Sequence, residues 1–188
     1  ERVAAIRAAL PAVEAGIYLN AGTAGPLPAE AAAAMTEAAA WELRTGRAHE
    51  AYFEALEQRL EEARATLAAA IGAGLEEVAL RHSTSDAVTT AVWALDWRPG
   101  DRAVTTTIEH IGGLAALYAL RDRLGIEVVF ADVGDGRDPE RVLDAVVGAL
   151  DERTRGIVVS HVSWATGAVL PVAEIAAAGR ERGIAVVV

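Results

Sequence analysis

Short runs of Val and Ile alternate with longer segments of helical character through the second half of the chain. The runs lie at 101–106, 126–133, 155–162 and 184–188, and each intervening segment is long enough for a crossover helix. This alternation is typical of βαβ units, in which a parallel sheet is covered by helices on both faces. The sequence therefore predicts an α/β fold with a mostly parallel sheet sandwiched by helices.

The first part of the chain is predicted to be mainly helical. Helices are expected over 2–10, 28–46 and about 49–71. Pro28 is a residue type favoured at the start of a helix, and Gly46 is one favoured at its end. The last of these helices places apolar residues at three- and four-residue spacing on one face. Its members are Phe53, Leu56, Leu60, Ala63 and Leu67. Short strands are predicted at the beginning of 16–28 and at 77–80.

Composition excludes several classes of function. The net charge is -10 without a basic cluster, which disfavours nucleic acid and anionic membranes as partners. The chain has no Cys, which excludes disulfides and Cys metal sites and fits a cytoplasmic protein. Its four His lack the spacing of metal ligands, so no metal site is predicted.

The chain also contains no lysine, because all 17 of its basic residues are Arg. Chemistry that requires a lysine Schiff base therefore cannot be completed within these 188 residues.

Sites in parallel sheets lie at the carboxyl ends of the strands, so the residues that follow each run are the candidates. Thr84, Ser85 and Asp86 stand where a helix is expected to begin, where free N–H groups and hydroxyls suit a phosphate. Ordinary helix capping explains the same residue types. No GxGxxG, Walker or GxSxG motif is present.

Two further loops carry candidate residues. His110 follows Glu109 at a strand end and precedes two glycines, so it is a candidate general base, a ring stacked on a planar cofactor, or a simple cap. In the stretch 160–172, Trp164 offers a flat face and Thr166 a hydroxyl, although a packed loop is the alternative. His161 is expected inside the strand and is interpreted as structural.

The N-terminal loop 18–28, YLNAGTAGPLP, is rich in turn-forming residues. Its glycines can bring backbone amides close to a ligand, or the loop is a linker to the following helix.

Taken in order, these stretches resemble the class V aminotransferase family of pyridoxal-phosphate (PLP) enzymes of fold type I, which includes cysteine desulfurases and isopenicillin-N epimerase-like proteins. The resemblance rests on YLNAGTAGPLP, STSDAVTTAV, EH and SHVSWATGAVLPVAEI and covers nearly the whole chain. It implies PLP as cofactor, a small amino-acid substrate bound through an external aldimine, and a homodimer.

The resemblance also implies roles for individual positions. Thr84 and Ser85 would hold the cofactor phosphate, and His110 would stack on the pyridine ring. Trp164 and Thr166 would lie beside the cofactor, with Thr166 in the polar role. The loop residues Asn20, Ala21 and Gly22 would lie on the substrate side.

The match departs from desulfurases at two places. Ile111-Gly112-Gly113 follows the His where desulfurases often carry Ser-Asn, and Trp164 stands where they commonly have Asn. The form SHVSWATG is more similar to the epimerase-like branch, which favours aminotransferase or epimerase chemistry over desulfuration or C–S cleavage.

We expect the chain to be the N-terminal part of a longer enzyme. Residues 1–27 would be an N-terminal segment with the substrate-side loop, and 28–188 part of the large PLP-binding domain. The strand 184–188 would lead into the aspartate that pairs with the pyridine nitrogen, and the Schiff-base lysine would follow, so the isolated chain should be inactive. The alternative is a lysine-free binding or scaffold protein derived from the fold.

Overall fold

The computed structural model describes residues 1–22 and 24–188, which form two compact units, Glu1–Leu80 and Arg81–Val188. The predicted boundary after residue 27 concerns the domains of the whole protein and stays a prediction. Within the described residues, no helix combines the length and apolar character needed to cross a membrane.

The first unit is helical, as predicted for 2–10, 28–46 and 49–71. Its elements are α1 (Arg2–Ala8), α2 (Pro11–Ala15), α3 (Ala29–Thr45), α4 (Glu50–Ile71) and a 3₁₀ turn (Leu75–Glu77). Helix α3 follows Pro28 and stops at Gly46, whose positive φ of 69° is one that glycine adopts without steric cost.

Both strands predicted in this unit are wrong. The segment 16–20 is irregular, with Ile17 and Leu19 each 90% exposed, and 77–80 is the end of the 3₁₀ turn followed by extended chain. A strand needs a neighbour to pair its N–H and C=O groups. Among the described residues of this unit, no segment supplies one.

The predicted apolar face of α4 is not the face that packs within this unit. Phe53, Leu60 and Leu67 are about half exposed, whereas Tyr52 is buried. The Tyr52 ring stacks on Trp41 at 5.2 Å between centroids, and its hydroxyl donates to Glu42 Oε1 at 2.8 Å. An aromatic side chain with a satisfied polar end therefore joins α3 to α4.

The second unit alternates helices and strands as the sequence predicts. Its helices are α5 (Thr84–Trp93), α6 (Ile111–Leu124), α7 (Pro139–Gly148) and α8 (Val172–Glu181). Its strands are β1 (Arg102–Thr106), β2 (Glu127–Ala131), β3 (Thr154–Val158) and β4 (Ala185–Val187). Strand β3 ends before His161, so the prediction that His161 lies inside a strand is wrong.

The four strands form one parallel sheet in the order β2-β1-β3-β4. The chain leaves β1 toward β2 on one side and leaves β3 toward β4 on the other. The strand order therefore reverses between β1 and β3, and such a switch point opens a crevice at the carboxyl ends of the two strands.

Two apolar clusters fill the faces of the sheet. One joins Ala103 and Val158 to side chains of α5 and α6, and the other joins Val104 and Ile157 to side chains of α7 and α8. Successive strand residues point to opposite faces, which explains why neighbours in sequence belong to different clusters. The sheet is thus a rigid support for the loops that follow β1 and β3.

We expect Ile157→Val to lower the free energy of unfolding of the full-length protein by about 1 kcal/mol. Ile157 is fully buried in β3, so the lost methylene leaves a small void between the sheet, α7 and α8. Urea unfolding measures the loss. The same change at Ile17, which is 90% exposed, should have almost no effect, and equal losses would contradict this account of the core.

Candidate functional site

Helix α5 begins with two hydroxyl residues that its cap does not use. The N-cap is Ser83, whose side chain accepts a hydrogen bond from the backbone N–H of Asp86 at 3.2 Å. Within the described part of the chain, the hydroxyls and backbone N–H groups of Thr84 and Ser85 make no hydrogen bond. Four donors at the positive end of a helix therefore remain free for an anion.

The acidic residue of this turn is paired locally. Asp86 accepts hydrogen bonds from Arg81 Nη2 at 2.8 Å and from the backbone N–H of His82 at 3.2 Å. The Arg81 side chain, followed by the His82 amide, lowers the pKa of the Asp86 carboxyl below its ordinary value. The ion pair compensates the negative charge beside Thr84 and Ser85.

We expect Asp86→Asn to destabilise the protein near neutral pH, with a difference from wild type that shrinks below about pH 4. The pKa is lower in the folded state, so the stabilisation is complete above the unfolded pKa and disappears as the pH falls through the folded pKa. Urea midpoints across this range measure it.

The matched control is Asp144→Asn, because the Asp144 side chain makes no hydrogen bond or ion pair within the described ranges 1–22 and 24–188. If the stability difference between Asp86→Asn and wild type does not depend on pH, the lowered pKa of the Asp86 carboxyl in the folded state is contradicted.

His110 caps α6 with its own ring. The Nδ1 atom accepts a hydrogen bond from the backbone N–H of Gly112 at 3.0 Å, which places the ring proton of the neutral imidazole on Nε2. A methyl group added at Gly112 would lie 2.8 Å from Ser85 Oγ and 3.0 Å from His110 Nδ1. Gly112 thus allows the first turns of α5 and α6 to meet.

Glu109 connects the two loops at the switch point. Its Oε2 accepts from the backbone N–H of Ser160 at 2.6 Å, and its Oε1 accepts from the Ser160 hydroxyl. Oε1 also accepts from the backbone N–H of His110 at 2.8 Å. One carboxylate therefore joins the loop that follows β1 to the loop that follows β3.

Trp164 lies in a tight loop after β3. Backbone hydrogen bonds between Ser163 and Ala168, and from Gly167 to Ser163, close this loop. The Trp164 indole meets the His110 ring edge to face, with 5.2 Å between centroids and 89° between planes. Thr166 Oγ1 accepts from the Ala168 N–H at 3.3 Å, so part of its hydrogen-bonding capacity is used within the loop.

The second unit thus brings several of the predicted residues together. Ser85 and His110 flank Gly112, and His110 contacts Trp164, whose loop also carries Thr166. The predicted substrate-side residues Asn20, Ala21 and Gly22 belong to the first unit, where the Asn20 carbonyl accepts from the Ala24 N–H at 3.1 Å. Thr23, in the same loop, is outside the described residues.

Two residues of the site have roles that sequence reasoning missed. Ser83 is the cap of α5, and an Ser-x-x-Asp pattern at 83–86 could have indicated it. Glu109 acts through a contact across 51 positions of sequence, and no local pattern indicates such a contact.

The described residues fit a flat, phosphorylated cofactor. The free donors of Thr84 and Ser85 suit a phosphate, and a side chain at position 112 would fill the space beside Ser85 and His110. The exposed His110 and Trp164 rings offer flat surfaces. In contrast, the described residues contain no group of three or more His, Asp or Glu arranged to hold a metal ion.

Comparison with known proteins agrees with this geometry. The model of the family "Aminotransferase class-V" matches residues 17–188. A probable cysteine desulfurase of Methanothermobacter thermautotrophicus is 34% identical over 95% of this chain, which spans 44% of that relative.

Two solved structures of one protein are also similar. The first is a mutant of C-DES with glycine covalently linked to the PLP cofactor, 28% identical, with a TM-score of 0.86 over 93% of this chain and 46% of that one. The second is the cystine C–S lyase C-DES in complex with its reaction product, cysteine persulfide. It is 29% identical, with a TM-score of 0.85 over 91% of this chain and 45% of that one.

These matches confirm the family that the sequence motifs indicated and the predicted α/β fold. The chain spans less than half the length of these relatives.

Proposed function

This chain belongs to the class V aminotransferase family, and on that premise we propose that the whole protein is a PLP-dependent enzyme that cleaves a C–S bond of a sulfur-containing amino acid. One observation supports PLP as the cofactor: the free donors of α5, Gly112 and the His110 ring meet in one cleft. The reaction class is supported by the likeness to C-DES and to a probable cysteine desulfurase.

Each residue of the cleft has a proposed task. Thr84 and Ser85 bind the cofactor phosphate with hydroxyls and N–H groups that the helix cap leaves free. His110 lies against the pyridine ring and is held by its bond to Gly112. Trp164 and Thr166 border the cofactor from the loop after β3 and limit the access of water.

Bound PLP supplies an electron sink that stabilises negative charge at the α-carbon of the amino acid. The protein binds and orients the cofactor, and the substrate-side loop with Asn20, Ala21 and Gly22 supplies backbone groups for the amino acid. The amine that holds the cofactor lies outside residues 1–188, because these contain no lysine. We also propose a cytoplasmic homodimer, as in the predicted family.

A product assay tests the reaction class. The full-length protein with PLP and cystine should release pyruvate, ammonia and cysteine persulfide, which balances cystine plus one water. Cysteine as substrate should be compared, because alanine plus a protein-bound persulfide sulfur, released as sulfide only when a thiol reductant is added, would indicate desulfuration. Both reactions break a C–S bond and differ in the substrate, whereas transfer of the amino group to a 2-oxo acid without release of sulfur would indicate a transaminase and would overturn the proposal.

Epimerase-like chemistry is the second candidate, because Trp164 stands where the resemblance leads one to expect Asn in desulfurases. An epimerase exchanges the α-hydrogen of its substrate with deuterated water without releasing pyruvate or sulfide. NMR of the recovered amino acid therefore separates this candidate from C–S cleavage.

Borohydride trapping tests the cofactor assignment independently of the reaction. In the full-length protein, peptide mapping should find PLP attached to a lysine outside residues 1–188. An adduct on a residue within 1–188 other than the terminal amine, or no adduct at all, would favour a lysine-free binding protein.

A further inference from the structure

Glu109 is an acidic side chain of the cleft to which the proposed function gives no task. It is half-buried at the end of the loop that follows β1, next to His110. Its carboxylate accepts three hydrogen bonds, from the Ser160 N–H, the Ser160 hydroxyl and the His110 N–H. Three donors on one carboxylate fix both its position and its orientation.

These bonds cross the switch point of the sheet. Ser160 lies two residues after the end of β3, and four residues later the chain reaches Trp164. His110, which follows Glu109, contacts Trp164 edge to face at 5.2 Å between centroids. The last registered pair between β1 and β3 is Val104 with Ile157, so the hydrogen bonds between these two strands stop before the two loops begin.

We propose that Glu109 is a positioning residue, whose carboxylate sets the spacing between the His110 ring and the loop that carries Trp164. Its bond to the His110 N–H fixes the residue that caps α6, and its two bonds to Ser160 fix the loop opposite. The role of His110 beside a cofactor rests on the proposed function, whereas the contact between the loops does not.

The chemistry of the contact defines the variants. Each carboxylate oxygen accepts from one backbone amide, Oε2 from Ser160 and Oε1 from His110. Glutamine offers a single acceptor oxygen, so Glu109→Gln leaves one amide without a partner, and Glu109→Ala leaves both. Ser160→Ala removes the hydroxyl but keeps the amide bond.

The experiment measures amide hydrogen exchange by mass spectrometry, the dissociation constant of PLP and steady-state kinetics in the full-length protein. In Glu109→Ala, the amides of Ser160 and His110 should exchange at least tenfold faster, while α7 and α8 stay protected. In Glu109→Gln, one of the two amides should lose protection. Ser160→Ala should keep protection at both, and Glu109→Gln alone tests the inference if Glu109→Ala does not fold.

The functional readouts separate positioning from general destabilisation. For Glu109→Gln we expect weaker PLP binding and a kcat that falls roughly tenfold, with a smaller change in KM. Glu174→Gln is the matched control, because Glu174 is exposed and its side chain makes no hydrogen bond or ion pair among the residues that the structure describes. The control should equal wild type in all readouts.

Unchanged exchange in both Glu109 variants would overturn the inference, as would lost protection with unchanged PLP binding and kcat. If wild type itself releases neither pyruvate from cystine nor alanine from cysteine, the proposed reaction fails. Exchange and PLP binding then still decide the role of Glu109.

Discussion

Ser85→Asp should weaken PLP binding by the full-length protein at least about a hundredfold while leaving the fold intact. The substitution removes a hydroxyl donor, and hydrogen bonds to charged groups contribute about 1.5–3 kcal/mol. It also places a carboxylate beside the proposed phosphate, and the repulsion between like charges adds to the loss. Ser85→Ala, which only removes the donor, should cost roughly tenfold or more.

The same substitution should not destabilise the helix. Ser85 is the second residue of α5, and an acidic side chain in the first turn interacts favourably with the helix dipole by about 0.3–1 kcal/mol. Stability and cofactor affinity are therefore expected to change in opposite directions, which general damage to the fold cannot produce. Thermal unfolding without PLP and titration with PLP measure the two quantities.

Ala173→Asp provides the matched control for this experiment. Ala173 is exposed and is the second residue of α8, so it receives the same charge at the same helical position. PLP affinity should stay within about twofold of wild type, since α8 has no proposed contact with the phosphate. If Ser85→Asp binds PLP as wild type does, α5 does not hold the phosphate.

The strands that sequence predicted correctly are those with a partner. The runs that became β1, β2, β3 and β4 alternate with crossover helices, and this alternation itself supplies neighbouring strands. The stretches 16–20 and 77–80 have apolar residues of the same type but no neighbour in the described part of their unit. Strand formation depends on such non-local pairing, which a single short run does not reveal.

The candidate site shows the same division between local and non-local information. Ser85, His110 and Trp164 were predicted to be site residues from their positions after strands and from the family resemblance. Whether Ser83 or Thr84 caps α5 depends on backbone angles that differ between adjacent residues, and sequence left the capping alternative open. The Glu109–Ser160 contact depends on strand order, which brings residues 51 positions apart together.

His110 caps α6 and, in the proposed function, also lies against the cofactor, and different substitutions should separate these two roles. Asparagine is a preferred N-cap, so His110→Asn should keep α6 capped and the stability near that of wild type, but it removes the ring. Loss of a stacked ring, worth about 0.5–1.5 kcal/mol, should weaken PLP binding up to roughly tenfold. Phenylalanine keeps a flat ring but cannot accept the bond from Gly112, so His110→Phe should lose about 1 kcal/mol of stability and retain PLP affinity.

Kinetics of these two variants decide between the alternatives that the sequence left open for His110. If the ring only stacks, kcat of His110→Phe at saturating PLP should stay within about tenfold of wild type, the range of one aromatic contact. If the imidazole transfers a proton, both variants should lose on the order of 10²–10⁴ in kcat, because neither side chain can act as an acid or base. The geometry favours the first result, since Nδ1 is already engaged by the Gly112 N–H and holds the ring in place. A stable His110→Phe variant that binds PLP but has lost most of its turnover would overturn the stacking role and make His110 a catalytic residue.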